Sequence, residues 1–264
     1  MNCVPEPLLE LNNLSKSYND LPAVQNIALT VNRGEIFGFL GPNGAGKTTT
    51  MKCCAGLLRP SGGSVHIAGF DLARQPAAAK ALLGFVPDNP YLYEKMTGHE
   101  MAVFAARLYG VATEGLSDKV ISYFRLFEME AECKQLIQGY SRGMRQKTAL
   151  VAALLHQPSL LLVDEPTANL DPRSARLVKD IFQSLKAQGR SVFLSTHVME
   201  IAENLCDRIA IIAGGKLQAL GSMEQLRKQI RGGSLEEIFL ALTGGDDPET
   251  QKVLQELIRA EGER

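Results

Sequence analysis

From residue 8 to residue 40 apolar positions recur at short spacing, in the runs Leu8 to Tyr18, Ala23 to Val31 and Glu35 to Leu40. Val24, Ile27, Leu29 and Val31 mark one face of the second run, and Asn-Asp and Arg-Gly pairs separate the runs. This predicts three strands joined by tight turns. The pattern then becomes helical from Gly46 to about Leu58 and returns to strand at Ser64 to Phe70, after Pro60-Ser61-Gly62-Gly63. Gly84 to Pro87 reads as a further short strand. Thr97-Gly98-His99-Glu100 is a capping-box pattern that opens a helix to about Tyr109. From there to Gln138 the spacing of Val120, Ile121, Phe124 and Phe127 is amphipathic and helical, with no strand signal. A helical subdomain inserted over about residues 89–157 is expected.

The period changes again at Leu160 to Val163, where consecutive apolar residues suggest a strand covered on both faces. Ser191 to Ser195 and Arg208 to Ile212 repeat that character, with helical segments between. Asp171-Pro172 opens one of these helices, Leu177, Val178, Ile181, Phe182 and Leu185 form its buried stripe, and Gly189 stops it. Alternating strands and helices predict an α/β core with a mainly parallel sheet, preceded by an antiparallel β subdomain, with ligands at the strands' carboxyl ends. Beyond Arg231-Gly232-Gly233, the residues Leu235, Ile238, Phe239 and Leu242 give a short amphipathic helix. A break at residues 244–248 leads to a last charged helix or a loose tail. The expected organisation is a main domain over residues 1–230 and a C-terminal helical extension over 231–264.

Composition narrows the function classes. Charged residues are 22%, hydrophobic residues 45% and the formal net charge is -1, so there is no basic excess with which to coat nucleic acid, and no nucleic-acid partner is expected. No run approaches the length of about 18 apolar residues that spans a bilayer. The first residues, with Pro5, Glu6 and Pro7, do not resemble a secretion signal, and a cytoplasmic location is expected. The cysteines Cys3, Cys53, Cys54, Cys133 and Cys206 show no C-x-x-C spacing and read as inert thiols.

One segment carries explicit chemistry. Gly41-Pro42-Asn43-Gly44-Ala45-Gly46-Lys47-Thr48-Thr49 lies between a strand pattern and a helix pattern and matches G-x-x-x-x-G-K-[ST] from Gly41 to Thr48. Glycines let the backbone turn its N–H groups inward around phosphate oxygens. Lys47 reaches the outer phosphates, and the Thr48 hydroxyl is suited to magnesium. A nucleotide with magnesium is the expected ligand. A second segment, Leu160-Leu161-Leu162-Val163-Asp164-Glu165-Pro166, ends a buried strand in two acids. Asp164 can hold magnesium through water and Glu165 can polarise the water that attacks the terminal phosphate. An ordinary strand-end acid pair in a turn is the plain alternative.

With these residues in place the chain resembles the ATP-binding subunits of ABC transporters, over nearly all of Leu8 to Thr243. Tyr140-Ser141-Arg142-Gly143-Met144-Arg145-Gln146 is similar to the family's signature sequence. Ser141 would cap a helix whose N–H groups face an anion, with Gly143 allowing close approach, although a plain helix start is also compatible with the heptapeptide. Asn169-Leu170-Asp171 resembles the family's D-loop, and Asp171 as a helix cap is an equally good local account. His197 matches the switch histidine that contacts the terminal phosphate and orients Glu165. Tyr18 resembles the aromatic that stacks on adenine, with an edge-strand tyrosine as the alternative. The resemblance implies a P-loop NTPase core, an ATPase that dimerises around Mg-ATP with a second chain of the same kind, and a separate transmembrane permease as partner. It places the protein at the inner face of the cell membrane. The surface that grips the permease is expected between Gly84 and Gly139.

The chain departs from the family pattern twice. Asp88 stands where a glutamine is commonest, after Gly84-Phe85-Val86-Pro87, and Arg142 stands where glycine is commoner. Asp88 can still accept a bond from a magnesium-bound water and is kept as a metal contact with Thr48 and Asp164. The Arg-Gly-Met-Arg-Gln signature, Asp88 and the ending Leu235-Glu236-Glu237-Ile238-Phe239 together resemble the exporter branch called ABC-2 type. A soluble ABC ATPase working on ribosomes, chromosomes or cofactor assembly is the rival expectation.

Overall fold

The structure, a computed structural model, describes residues 7–229 and 234–244. Cys3, the break at residues 231–233 and the charged segment expected beyond residue 248 lie outside the described residues.

The strands in chain order are β1 (Pro7–Tyr18), β2 (Leu21–Asn32), β3 (Ile36–Leu40), β4 (Gly62–Ile67), β5 (Phe70–Asp71), β6 (Leu83–Val86), β7 (Leu160–Asp164), β8 (Ser191–Thr196), β9 (Arg208–Ala213) and β10 (Lys216–Gly221). The helices are α1 (Lys47–Cys54), α2 (Pro76–Ala81), α3 (Gly98–Leu108), α4 (Leu116–Leu126), α5 (Arg142–Leu154), α6 (Pro172–Ala187), α7 (Met199–Leu205), α8 (Met223–Gln229) and α9 (Leu235–Thr243).

Strands β1 and β2 form a long antiparallel hairpin closed by Asn19 and Asp20 at φ 45° and 65°, the positive pair that a two-residue turn of matching twist needs. With β4 and β5 they make an antiparallel sheet in the order β2-β1-β4-β5. The second sheet has the order β10-β9-β3-β8-β7-β6. Four of its five pairings are parallel, and the edge strand β10 folds back antiparallel on β9.

Side-chain alternation explains why β7, β8 and β9 read as unbroken apolar runs. Leu160, Leu162, Phe193, Ala210 and Ile212 face a core shared with α1 and the antiparallel sheet. Leu161, Val163, Val192 and Leu194 face a second core filled by α3, α4, α5 and α6, including Phe124, Leu150, Val178 and Phe182. A third cluster seats α9 through Leu235, Ile238 and Phe239 against Ile209 and Ile211. Helices α3, α4 and α5 lie between β6 and β7 in the chain, and the capping box at Thr97 and Glu100 opens α3.

Several expected boundaries differ. Helix α1 ends at Cys54 and not near Leu58, because the chain closes it with Leu57 N–H to Lys52 O at 2.9 Å and Gly56 N–H to Cys53 O at 3.1 Å. Helix α4 stops at Leu126 by the same pair of bonds, Met129 to Phe124 and Glu128 to Arg125, so the apolar spacing up to residue 138 continues only as turns and a short 3-10 segment at Ile137–Gly139. The strand expected to run to Phe70 is cut by a turn at Ala68 and Gly69. Helices α2 and α8 and strand β10 are additions to the sequence-based reading.

Candidate nucleotide-binding site

The parallel register brings the chemistry to one end of the sheet. Leu40 is level with Thr196 and Asp164 with Ser195, so the loops after β3, β7 and β8 leave from adjacent strands at the same height. The first of these is the loop of residues 41–46. Gly46 holds φ 105°, and a Cβ there would lie 2.5 Å from the Ala23 carbonyl, so only glycine fits between the loop and β2. Lys47 is buried at the start of α1 and donates to the carbonyls of Gly41 at 2.6 Å and Pro42 at 3.2 Å. Burial lowers its pKa, while the nearby carboxylates of Glu165 and Asp164 oppose that shift. The ammonium group therefore sits between loop and acids, where a phosphate would meet it. Thr48 is exposed at the first turn of α1, and Thr49 is half-buried beside it.

Asp164 ends β7 fully buried, and its carboxylate accepts from the Ser195 hydroxyl of β8. Glu165 follows at φ 52°, a strained setting for a side-chain-bearing residue, while its N–H still bonds the Ser195 carbonyl at 3.1 Å. This kink turns its carboxylate away from the sheet and onto His197 Nδ1 at 2.8 Å. His197 is exposed just beyond β8, so it can reach both Glu165 and a group placed outside the strand ends.

The remaining predicted residues lie in two places. Tyr18 sits at the end of the β1–β2 hairpin, 45% exposed, with the Lys16 ammonium 5.3 Å from its ring centre. Ser141 caps α5, accepting from Met144 N–H at 3.2 Å. Gly143, the second residue of α5, packs on this chain's own loop: a Cβ there would stand 2.7 Å from the Asn169 carbonyl. Asp171 caps α6, accepting from the Ser174 N–H at 2.9 Å and hydroxyl at 2.5 Å, and Lys147 of α5 approaches at 3.6 Å. The Ser174 hydroxyl first, then its N–H, hold the Asp171 carboxyl well below the usual range. The local capping role is thus realised, and α5 is tied to the loop of residues 165–171 at both Asn169 and Asp171.

Asp88 lines a cleft of about 530 Å³ whose other walls include Arg142, Arg145 and Asn169. The two residues that depart from the family pattern therefore share one cleft. Arg145 crosses it to Glu94 at 3.0 Å. Sequence reasoning missed Ser195, one of three hydroxyl residues in β8 with no local signal to set it apart from Ser191 and Thr196.

A strand-loop-helix phosphate cradle with a lysine, two strand-end acids and a histidine on the acid defines a P-loop nucleoside triphosphatase. Residues 24–168 match the family model described as ABC transporter. The chain is 35% identical over 239 residues to the ABC transporter ATP-binding protein NatA of Bacillus subtilis (strain 168), covering 89% of this chain and 97% of that one. It is 39% identical over 246 residues to a fluoroquinolones export ATP-binding protein of Mycobacterium tuberculosis (strain CDC 1551 / Oshkosh), covering 89% and 80%. A solved ATP-binding subunit of an ABC transporter superposes with a TM-score of 0.84 at 34% identity, covering 89% of this chain and 99% of that one. The chain belongs to the ABC transporter family, as an ATP-binding subunit that hydrolyses ATP. Among the described residues no helix is long and apolar enough to cross a membrane.

Proposed function

We propose that this subunit binds ATP with magnesium in the cradle of residues 41–49, pairs with a second ATPase chain, and drives a separate transmembrane exporter from the inner face of the membrane. The observation that carries the catalytic reading is the 2.8 Å contact from His197 to Glu165, beside the Lys47 ammonium at the ends of adjacent strands. In this reading Glu165 takes the proton of the attacking water, and His197 holds its carboxylate in line. Lys47 leaves the Gly41 and Pro42 carbonyls to neutralise the outer phosphates. Tyr18 stacks on the base, and the capped N-terminus of α5, with Ser141 and Gly143, faces the nucleotide of the second chain. Asp171 carries the contact between the two sites.

Among the described residues no group of three or more His, Cys, Asp or Glu is placed to hold a metal alone. The donors present, the Thr48 hydroxyl and the Asp164 carboxylate with Asp88 as a further contact, suit a hard ion that takes its other ligands from phosphate and water. Magnesium so held would neutralise charge on the terminal phosphates. Export is supported by the names of relatives concerned with drug export. The permease would meet the face that carries Tyr91, Tyr93, Phe104 and Leu108, which expose apolar surface beside the Asp88 cleft.

The experiment is Glu165→Gln in the tagged full chain. Nucleotide binding should persist, turnover should fall by about 10²- to 10⁴-fold as expected for loss of a general base, and a polytopic membrane protein should copurify in stoichiometric amount. Normal turnover would remove Glu165 from its role, and recovery with ribosomes or assembly factors would replace the transporter reading with a soluble mechanical one.

A further inference from the structure

Gln146 of α5 is 1% exposed, yet neither its side-chain oxygen nor its nitrogen has a hydrogen-bond partner among the described residues. An apolar side chain of that shape would pack there without leaving polar atoms unpaired. The direction of the side chain follows from helix geometry. At about 100° per residue, Gln146 projects about 40° from Arg142 and about 60° from Gly143. Arg142 lines the Asp88 cleft and Gly143 faces the Asn169 carbonyl. The Gln146 side chain, one turn further along α5, therefore projects between the directions of Arg142 and Gly143, on the side of the helix that meets the residue-88 loop and the loop of residues 165–171.

That second loop is itself incompletely bonded. Its backbone closes through Ala168 N–H to Glu165 O and Leu170 N–H to Thr167 O, both at 3.2 Å. The N–H groups of Thr167 and Asn169 and the Asn169 carbonyl make no hydrogen bond among the described residues. Glu165 and Asn169 both hold positive φ, at 52° and 72°, strain that marks a segment with another arrangement within reach.

We propose that Gln146 is a positioning residue for the loop that carries Glu165. When the loop shifts in the ATP cycle, the amide nitrogen donates to the Asn169 carbonyl and the amide oxygen accepts from the Thr167 N–H. Helix α5 then sets the height of Glu165. This rests on the ATPase reading of the site and adds to it the group that transmits the position of α5.

The test is Gln146→Met, matched in length and flexibility, in the full chain, with Gln146→Leu as a second variant should the first not fold. Three quantities are read: unfolding temperature without nucleotide, kcat and KM for Mg-ATP, and amide exchange over residues 165–171 with and without Mg-ATP. The expected result is an unfolding temperature equal to or above that of the natural chain, KM within about twofold and kcat down by about tenfold or more. Exchange at Thr167 should rise by about tenfold only with Mg-ATP present. Natural kcat in the variant overturns the proposal. So does a lower unfolding temperature with natural exchange under Mg-ATP, since the amide is then satisfied at rest by an internal water. A natural chain that fails to hydrolyse ATP would sink the reading of the site itself, a distinct outcome.

Discussion

Gly143→Ala isolates the contact between α5 and the catalytic loop. The new methyl group would stand 2.7 Å from the Asn169 carbonyl oxygen, whereas ordinary contact begins near 3.4 Å. The loop or the helix end must yield by about 0.7 Å, and the obstacle is backbone, which cannot swing aside as a side-chain tip can. Two effects on stability oppose each other. Alanine in place of glycine favours the helix by up to about 1 kcal/mol, and the overpacking costs about 1–3 kcal/mol. Net destabilisation of about 0–3 kcal/mol is expected by urea denaturation, leaving the chain folded. Catalysis should suffer more, because Asn169 lies four residues from Glu165, and misplacement of reacting groups on the scale of 1 Å can cost about 10²-fold. Steady-state turnover at saturating Mg-ATP is expected to fall about 10- to 100-fold. Gly139→Ala is the control, since a Cβ there meets nothing within 4 Å. Natural turnover in Gly143→Ala, alongside a natural control, would show that this contact does not set the position of the loop.

Two further predictions concern buried titratable groups. Glu35 is buried and bonded to Asn32 N–H at 2.7 Å and Arg208 at 3.1 Å, and burial raises its pKa above the ordinary 4.5. Arg208→Ala should cost about 1–3 kcal/mol at pH 7, discounted for the partial exposure of the arginine, and urea titrations should find that deficit shrinking as pH falls through the raised pKa of folded Glu35, above 4.5, until the carboxyl is protonated in folded and unfolded chains alike. A deficit independent of pH would show that Arg208 acts by packing alone. His156 stacks on Tyr109 at 3.7 Å, bonds the Leu83 carbonyl through Nε2 at 3.1 Å and has a buried Nδ1 with no partner among the described residues. Burial lowers its pKa below 6.5, so the unfolded chain takes up a proton that the folded chain refuses, and stability should fall as pH drops through 6.5, by up to about 1.4 kcal/mol per pH unit. His156→Phe keeps the stack and should flatten that slope in thermal unfolding between pH 7 and pH 5.5; an unchanged slope would place its origin elsewhere.

The readable parts of this chain are those with local causes. The phosphate loop, the strand-end acids and the capping boxes each declare themselves within a few residues, because backbone geometry and side-chain chemistry are specified together there. Helix α2 did not, since its Pro76-Ala77-Ala78-Ala79 start buries only Ala79 and leaves no apolar stripe to detect. Strand β10 pairs on one side only and mixes exposed with buried positions, so its pattern is weak. Within the site, Ser195 becomes meaningful only once register sets it opposite Asp164. Arg142 and Asp88, 54 positions apart, meet only in the folded cleft. The same holds for Gly143, whose need for a bare Cα comes from Asn169 and not from its own turn.

The loop of residues 165–171 is held at its two ends by different bodies. At the start, the Glu165 N–H bonds Ser195 on β8, which belongs to the sheet that also anchors the phosphate loop through β3. Toward the other end, Asn169 rests on Gly143 and Asp171 pairs with Lys147, both on α5. Helix α5 packs with α3 and α4 in the core on one face of the sheet, whereas α1 and the phosphate loop belong to the core on the opposite face. Were α5 to rotate with α3 and α4, the core that holds the phosphate loop would not be the one repacked, whereas the segment from Glu165 to Asn169 would be pulled at its far end. The Glu165 carboxylate would then shift relative to His197 and Lys47 with those helices. Helix α3 and the preceding loop expose Phe104, Tyr91 and Tyr93, so the surface proposed to meet the membrane partner and the lever on the catalytic acid are parts of one packed unit.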